Sequence, residues 1–159
     1  MQIRTGDVTA PAERRLLDDY FGYRAAAFPE QFGDYTVSYP PAEAFSGTEG
    51  VFLVVEDDEG LPVGCGGLRL LPSPGEGVVR YEVKHVWLSP ETRGRGWAQQ
   101  LMREFEARAL AFGATELVLD THHSLESAAR LYDRLGYVGV DPYNDNPNAT
   151  RWYAKQLPG

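Results

Sequence analysis

Val86-Trp87-Leu88-Ser89-Pro90-Glu91-Thr92-Arg93-Gly94-Arg95-Gly96-Trp97-Ala98 joins the end of an extended run to the start of an amphipathic one. Upstream, Val78–Leu88 has the β-branched and aromatic content of a strand. Downstream, Trp97, Leu101, Phe105, Arg108 and Phe112 keep one helical face, and Gly113 ends the run. The glycines and arginines therefore fall at a strand-to-helix turn. The first amides of a helix have no intrahelical acceptor and carry the positive end of its dipole, so a glycine-rich entry lets a pyrophosphate approach several N–H groups at once. Arg93 and Arg95 add charge beside it. Two common phosphate loops are excluded, because no Gly-Lys-Ser/Thr ending follows and the third glycine of a dinucleotide-binding turn is missing. Alone, the turn is equally compatible with an ordinary loop carrying solvated arginines.

Working outward, Gln2–Arg4 reads as a first strand, and Pro11 opens a helix on which Leu16, Leu17, Tyr20, Phe21 and Phe28 fall at helical spacing until Pro29 closes it. From there to Gly50, glycines and prolines mark a long connection with one helical turn near Ala42–Phe45. Val51–Glu56 and Pro62–Leu70 form an antiparallel hairpin about Asp57-Asp58-Glu59-Gly60. After the central strand and helix come a strand at Glu116–Thr121, a helix at Ser124–Leu135 and strands at Tyr137–Val140 and Thr150–Gln156. This order predicts an α/β chain of the α+β type, since helices occupy only a few crossovers. A regular doubly wound sheet is disfavoured.

The bulk properties narrow the class. A chain of 159 residues with 43% hydrophobic and 24% charged content is expected to be one domain over residues 1–159. No apolar run is long enough for a membrane span, and Met1–Asp7 lacks the apolar centre of a secretory signal, so a cytoplasmic protein without membrane contact is expected. The formal charge of −8 and a pI near 4.8 argue against nucleic acid as a partner. Cys65 has no second thiol to pair with. Asp120, His122 and His123 lack a recognisable zinc spacing, and no metal is expected.

Arg-x-x-Gly-x-Ala at Arg93, Gly96 and Ala98, after an extended strand, resembles the acetyl-CoA signature of the GNAT superfamily of N-acyltransferases. The resemblance continues to Ala128-Ala129-Arg130-Leu131-Tyr132-Asp133-Arg134-Leu135-Gly136-Tyr137, similar to the family's A-x-x-L-Y-x-x-x-G-F/Y segment. Two motifs in the right order across residues 78–140 are more specific than either alone. Pro142-Tyr143-Asn144-Asp145-Asn146-Pro147 is similar to a segment in a subgroup of small bacterial members. The resemblance implies the GNAT acyl-CoA N-acyltransferase fold, a mixed and mostly antiparallel sheet of six or seven strands with about four helices. It also implies acetyl-CoA as co-substrate and an amine of a small molecule or peptide as acceptor.

The resemblance carries roles onto particular residues. Glu82, 11 residues before Arg93, stands where family members with a glutamate base place it; its alternative is a strand glutamate paired with Lys84. Tyr132 matches the tyrosine that acts as general acid to the leaving thiolate, a role suited to a phenol that stays protonated at neutral pH. Coenzyme contacts are implied for Val86, Trp87 and Leu88 on the strand, with the Val86 N–H as oxyanion donor, and for Arg93, Gly94, Arg95, Gly96, Trp97 and Ala98 in the turn. Leu125 stands where many members have an asparagine seven residues before the tyrosine, and His122 is the candidate replacement for that polar contact.

Acceptor selection is expected from the first helix, the Pro29–Gly50 connection and the Tyr143–Asn146 loop. Arg24, Tyr39, Arg69, Tyr143 and Asn144 are the candidates, and the arginines suit a carboxylate. Direct transfer without an acyl-enzyme is expected, because Cys65 lies away from the motif. The alternatives are a non-catalytic acyl-CoA-binding or regulatory module and an acyltransferase for longer acyl chains. A homodimer is plausible for the class.

Overall fold

The computed structural model describes residues 1–159. Its strands are β1 (Gln2–Thr5), β2 (Gly50–Glu56), β3 (Pro62–Leu70), β4 (Arg80–Leu88), β5 (Glu116–Thr121), β6 (Val138–Val140) and β7 (Arg151–Gln156), and its helices are α1 (Pro11–Ala27), α2 (Trp97–Ala111) and α3 (Glu126–Arg134). Short 3-10 turns fall at Glu30–Phe32, Ala42–Phe45 and Pro90–Thr92. The strands form one sheet in the order β1-β2-β3-β4-β5-β7-β6, antiparallel throughout except for the central β4–β5 pair. This is the mixed, mostly antiparallel seven-stranded sheet that the sequence implies.

Each helix follows from local chemistry. Pro11 occupies the first turn of α1, where its missing N–H is harmless. Glu13 in that turn accepts the Asp7 N–H at 3.0 Å and pairs with Arg4 at 3.1 Å, fixing the entry of the helix. Leu16, Leu17, Tyr20, Phe21 and Arg24 are its buried stripe. The helix ends as Phe28 turns extended before Pro29. The third helix starts at Glu126 instead of Ser124, because Ser124 is used to bond His122 through both its hydroxyl and its N–H.

The sheet has a core on each face. Phe105, Leu101 and Met102 of α2, with Tyr132 of α3, pack on Leu53, Leu68, Val83 and Leu117. On the other face, Leu17, Tyr20 and Phe21 of α1 pack on Phe52, Val54 and Cys65. Tyr35 and Phe45 of the long connection pack against that second core.

Two irregularities decide where the chemistry falls. β4 and β5 pair only at Arg80–Glu116, Tyr81–Leu117 and Glu82–Val118, after which the strands part. Between Cys65–Trp87 and Gly67–Lys84 the β3–β4 register shifts, so that β4 carries one extra residue. His85 sits in that bulge at φ 58°, a left-handed conformation uncommon for any side chain except glycine. Gly66 faces the bulge, and a Cβ there would lie 2.7 Å from Phe105 Cζ and 3.3 Å from Val86 Cγ2. Gly66→Ala should therefore overpack the core, lowering stability by about 1–3 kcal/mol in urea titrations. An unchanged midpoint would contradict this packing.

Candidate active site

The turn that begins α2 is exposed. Gly94 and Gly96 have φ 77° and 74°, the left-handed region that glycine enters without steric penalty. No side chain caps the helix, and no acidic residue lies in its first turn. The backbone N–H groups from Gly94 to Gln99 donate no hydrogen bond within the protein; the next bond of the turn runs from Gln100 to the Gly96 carbonyl at 3.1 Å. Uncapped amides at a positive dipole end, flanked by exposed Arg93 and Arg95, fit the diphosphate of a coenzyme.

A cavity of about 90 Å³ occupies the gap between the diverging strands. Val83 and Val86 of β4, Leu119 of β5, and Leu125 and Tyr132 from the α3 side line it. Tyr132 is 7% exposed, and its hydroxyl makes no hydrogen bond within the protein. Burial pushes its pKa well above the ordinary tyrosine value, so the phenol stays protonated.

A second cavity of about 180 Å³ lies under α1, lined by Arg69, Lys84, His85 and Asp120 from the sheet and by Tyr35, Tyr39, Asn146 and Asn148 from the loops. The two spaces abut, sharing Tyr20, Arg24, Lys84, His85 and Asp120. The acids here are tightly held. Glu82 is fully buried; Arg69 binds its Oε1 at 2.7 Å, the Tyr143 hydroxyl donates to its Oε2 at 2.5 Å, and Lys84 Nζ stands 3.8 Å away. Asp120 accepts from Asn144 at 2.7 Å and Asn146 at 3.2 Å, with Lys84 at 3.5 Å.

The expected residues do not all fall in one place. Val86 and Tyr132 meet at the strand gap, and Arg24, Tyr39 and Arg69 line the cavity under α1. Tyr143 and Asn144 do not line it; they brace the buried carboxylates, and Asn144 also accepts the Trp152 indole N–H at 2.9 Å. Trp87 packs on the α1-side core and Leu88 on the opposite one. His122 is 1% exposed, bonded to Ser124 at 2.8 Å and packed against Phe28 and Phe32, and it lines neither cavity. Glu82 likewise lies beneath the cavity lining.

Lys84, His85 and Asn148 carry no sign of a site role in the sequence, whereas Asn146 lies in the expected Tyr143–Asn146 loop and Asp120 is read there only against a metal. One signal for the bulge exists: the buried apolar positions of β4 are odd at Tyr81 and Val83 and even at Val86 and Leu88, a change of parity that a regular strand cannot make.

The family model described as the acetyltransferase (GNAT) family matches residues 14–137. The chain belongs to the GNAT acetyltransferase family. It is 32% identical over 107 residues to an uncharacterized N-acetyltransferase of Schizosaccharomyces pombe, covering 67% of this chain and 63% of that relative. Among solved structures it resembles an acetyltransferase from Streptococcus agalactiae 2603, with a TM-score of 0.74 at 18% identity over 98% of each chain. A GNAT-family acetyltransferase from Staphylococcus aureus Mu50 superposes with a TM-score of 0.73 at 15% identity, covering 99% of this chain and 100% of that one. The fold is that of GNAT acyl-CoA N-acyltransferases.

His85 makes the site sensitive to acid. Its Nδ1 is sealed and has no partner. Burial against Tyr20, Phe21 and Phe45, with Lys84, Arg69 and Arg24 nearby and only Asp120 opposing them, lowers its pKa to about 3. The unfolded chain binds that proton below about pH 6.5. Stability is therefore complete above that pH and is lost as pH falls toward 3, at up to about 1.4 kcal/mol per pH unit. His122, lowered in the same direction by burial, adds to the loss. Denaturant titrations between pH 7 and 4.5 should show this slope, and His85→Asn, which tolerates a left-handed backbone, should flatten it.

Proposed function

We propose that this chain moves the acetyl group of acetyl-CoA directly to a primary amine of a small molecule or peptide. The observation that carries the reading is that the strand gap lined by Tyr132 abuts the α1-side cavity, the two sharing Lys84, His85 and Asp120, while free amides stand at the start of α2. In the reaction the thioester C–S bond breaks and an amide C–N bond forms; the amine gives up a proton and the thiolate takes one.

The chain's own groups meet these needs. Amides of Gly94–Gln99, with Arg93 and Arg95, hold the diphosphate, and the β4 edge beyond Glu82 faces the pantetheine arm. The Val86 N–H polarises the thioester oxygen. Tyr132 supplies the proton to the leaving sulfur. Glu82 is the proposed final acceptor of the amine proton; Arg69 and Tyr143 engage both its oxygens and it lies beneath the cavity lining, so it does not take that proton by direct contact. Cys65 is fully buried, and burial holds its thiol well above the ordinary cysteine range, which suits direct transfer and not an acyl-enzyme. No helix is long and apolar enough to cross a membrane, consistent with a cytoplasmic location.

The test is calorimetry with coenzyme A followed by thiol-release assays on a panel of amines, with acetyl-, propionyl- and succinyl-CoA compared. Binding with turnover of acetyl-CoA is expected, and binding without turnover on any amine would replace the enzyme by a coenzyme-binding module. Tyr132→Phe should lower kcat by about 10²–10³-fold while calorimetric affinity for coenzyme A persists. Full activity in that variant would remove Tyr132 from the mechanism.

A further inference from the structure

The charges around the acceptor-side cavity do not balance. Arg24, Arg69 and Lys84 all line it. Arg69 is matched by Glu82 at 2.7 Å and Lys84 by Asp120 at 3.5 Å. Arg24 is 8% exposed, yet no carboxylate lies within 4.0 Å of it. Its Nη1 donates to the Tyr20 hydroxyl at 3.2 Å and its Nη2 to the Asn148 carbonyl at 2.9 Å, both neutral groups, and the Tyr35 ring stands 5.3 Å away. A guanidinium cannot shed its proton to escape burial, so the charge persists with dipoles as its only partners. Such an arrangement is costly unless an anion completes it. Two of the five guanidinium N–H groups are used, and Nε–H is among those left free.

The coenzyme does not meet this need. Its diphosphate is assigned to the turn before α2, the helix that covers the opposite face of the sheet from α1. Arg24 instead stands where the two cavities meet.

We propose that Arg24 receives a carboxylate of the acceptor, which makes the acceptor a small amino carboxylate and not a simple amine. This rests on the acetyl-transfer reading above. One unmatched positive charge suits one negative charge, whereas a phosphate or phosphonate brings nearly two. The planar fork of the guanidinium also matches a carboxylate edge. The rings of Tyr20, Phe21, Tyr35 and Tyr39 line one part of the same, otherwise mostly polar space, which gives the acceptor's side chain a surface to pack on.

The experiment compares leucine and phenylalanine with their decarboxylated counterparts, isopentylamine and phenethylamine, and with the matching aminophosphonates, at saturating acetyl-CoA. The wild-type protein should favour the amino acids by about 100-fold or more in kcat/KM. Arg24→Gln should shrink that ratio at least about 10-fold while coenzyme A still binds in the calorimeter. If Arg24→Gln does not fold, the wild-type preference and calorimetric titration of the amino acids into the coenzyme-bound protein decide. Equal or better use of the decarboxylated amines, preference for the phosphonates, an unchanged ratio in the variant, or no amino-acid binding to the coenzyme-bound protein would each overturn the inference. Failure of coenzyme A itself to bind is a different result, because it sinks the acetyl-transfer reading on which this one stands.

Discussion

Beyond Glu82 and Val118 the two parallel central strands stop pairing, and the rest of the molecule is arranged around that separation. Unpaired strand edges inside a protein are unfavourable, because each backbone N–H and C=O left without a partner costs as much as a lost hydrogen bond. Here the divergence is stabilised from both sides. On one side, the bulge at His85 turns β4, with Gly66 leaving room for Phe105 beneath it. On the other, Leu125 and Tyr132 stand over the gap without filling it, leaving about 90 Å³. The opening is thus a built feature of the sheet, maintained by residues whose sizes are matched to it.

The second organising element is the pair of carboxylates at the α1-side cavity, Asp120 in its lining and Glu82 beneath it. A protein with a formal charge of −8 places three cations around this small space and balances two of them with Glu82 and Asp120. The loop before β7 holds these carboxylates in place. Asn144, Asn146 and Asn148 follow one another in turns, the N–H of Asn146 bonding Asn144 Oδ1 at 3.1 Å and that of Asn148 bonding Asn146 Oδ1 at 3.0 Å. Their amide groups are thereby aimed at Asp120 and at the Thr36 carbonyl. The long connection after α1, the loop and the sheet are held together through these polar contacts, so the shape of the cavity and its charge have one origin.

Much of this was readable from the chain, and the pattern of what was not is instructive. Elements with a strong period or a clear stop, such as Pro62–Leu70, Glu116–Thr121 and the helix that Gly113 ends, lie where the residues place them. Single-residue departures from regularity were missed: the extra residue in β4 is visible only as the change of buried parity between Val83 and Val86. Tyr143 and Asn144 look like acceptor contacts because polar loop residues near a site usually point into it. They bond Glu82 and Asp120 instead, and no local pattern reports a partner 61 or 24 residues away. For the same reason the burial of Glu82, 13 residues from its partner Arg69, was out of reach. Arg24 was legible as a candidate from its chemistry, but that its charge stands unmatched is a property of three dimensions.

A hydrogen-bonded sheet is a wall. Where neighbouring strands pair, no group of atomic size passes between its faces, and chemistry that draws one reactant from each side has to occur at an edge or at a defect. The helix with the free amides packs on one face and the helix bearing Arg24 on the other. Between them the β4–β5 gap is the opening in the sheet's interior, and the two cavities meet across His85, Lys84 and Asp120 there. The strand order therefore bears on chemistry as well as shape: under the proposed reaction, two reactants held on opposite faces would touch at one place, the gap that Val86 and Tyr132 line.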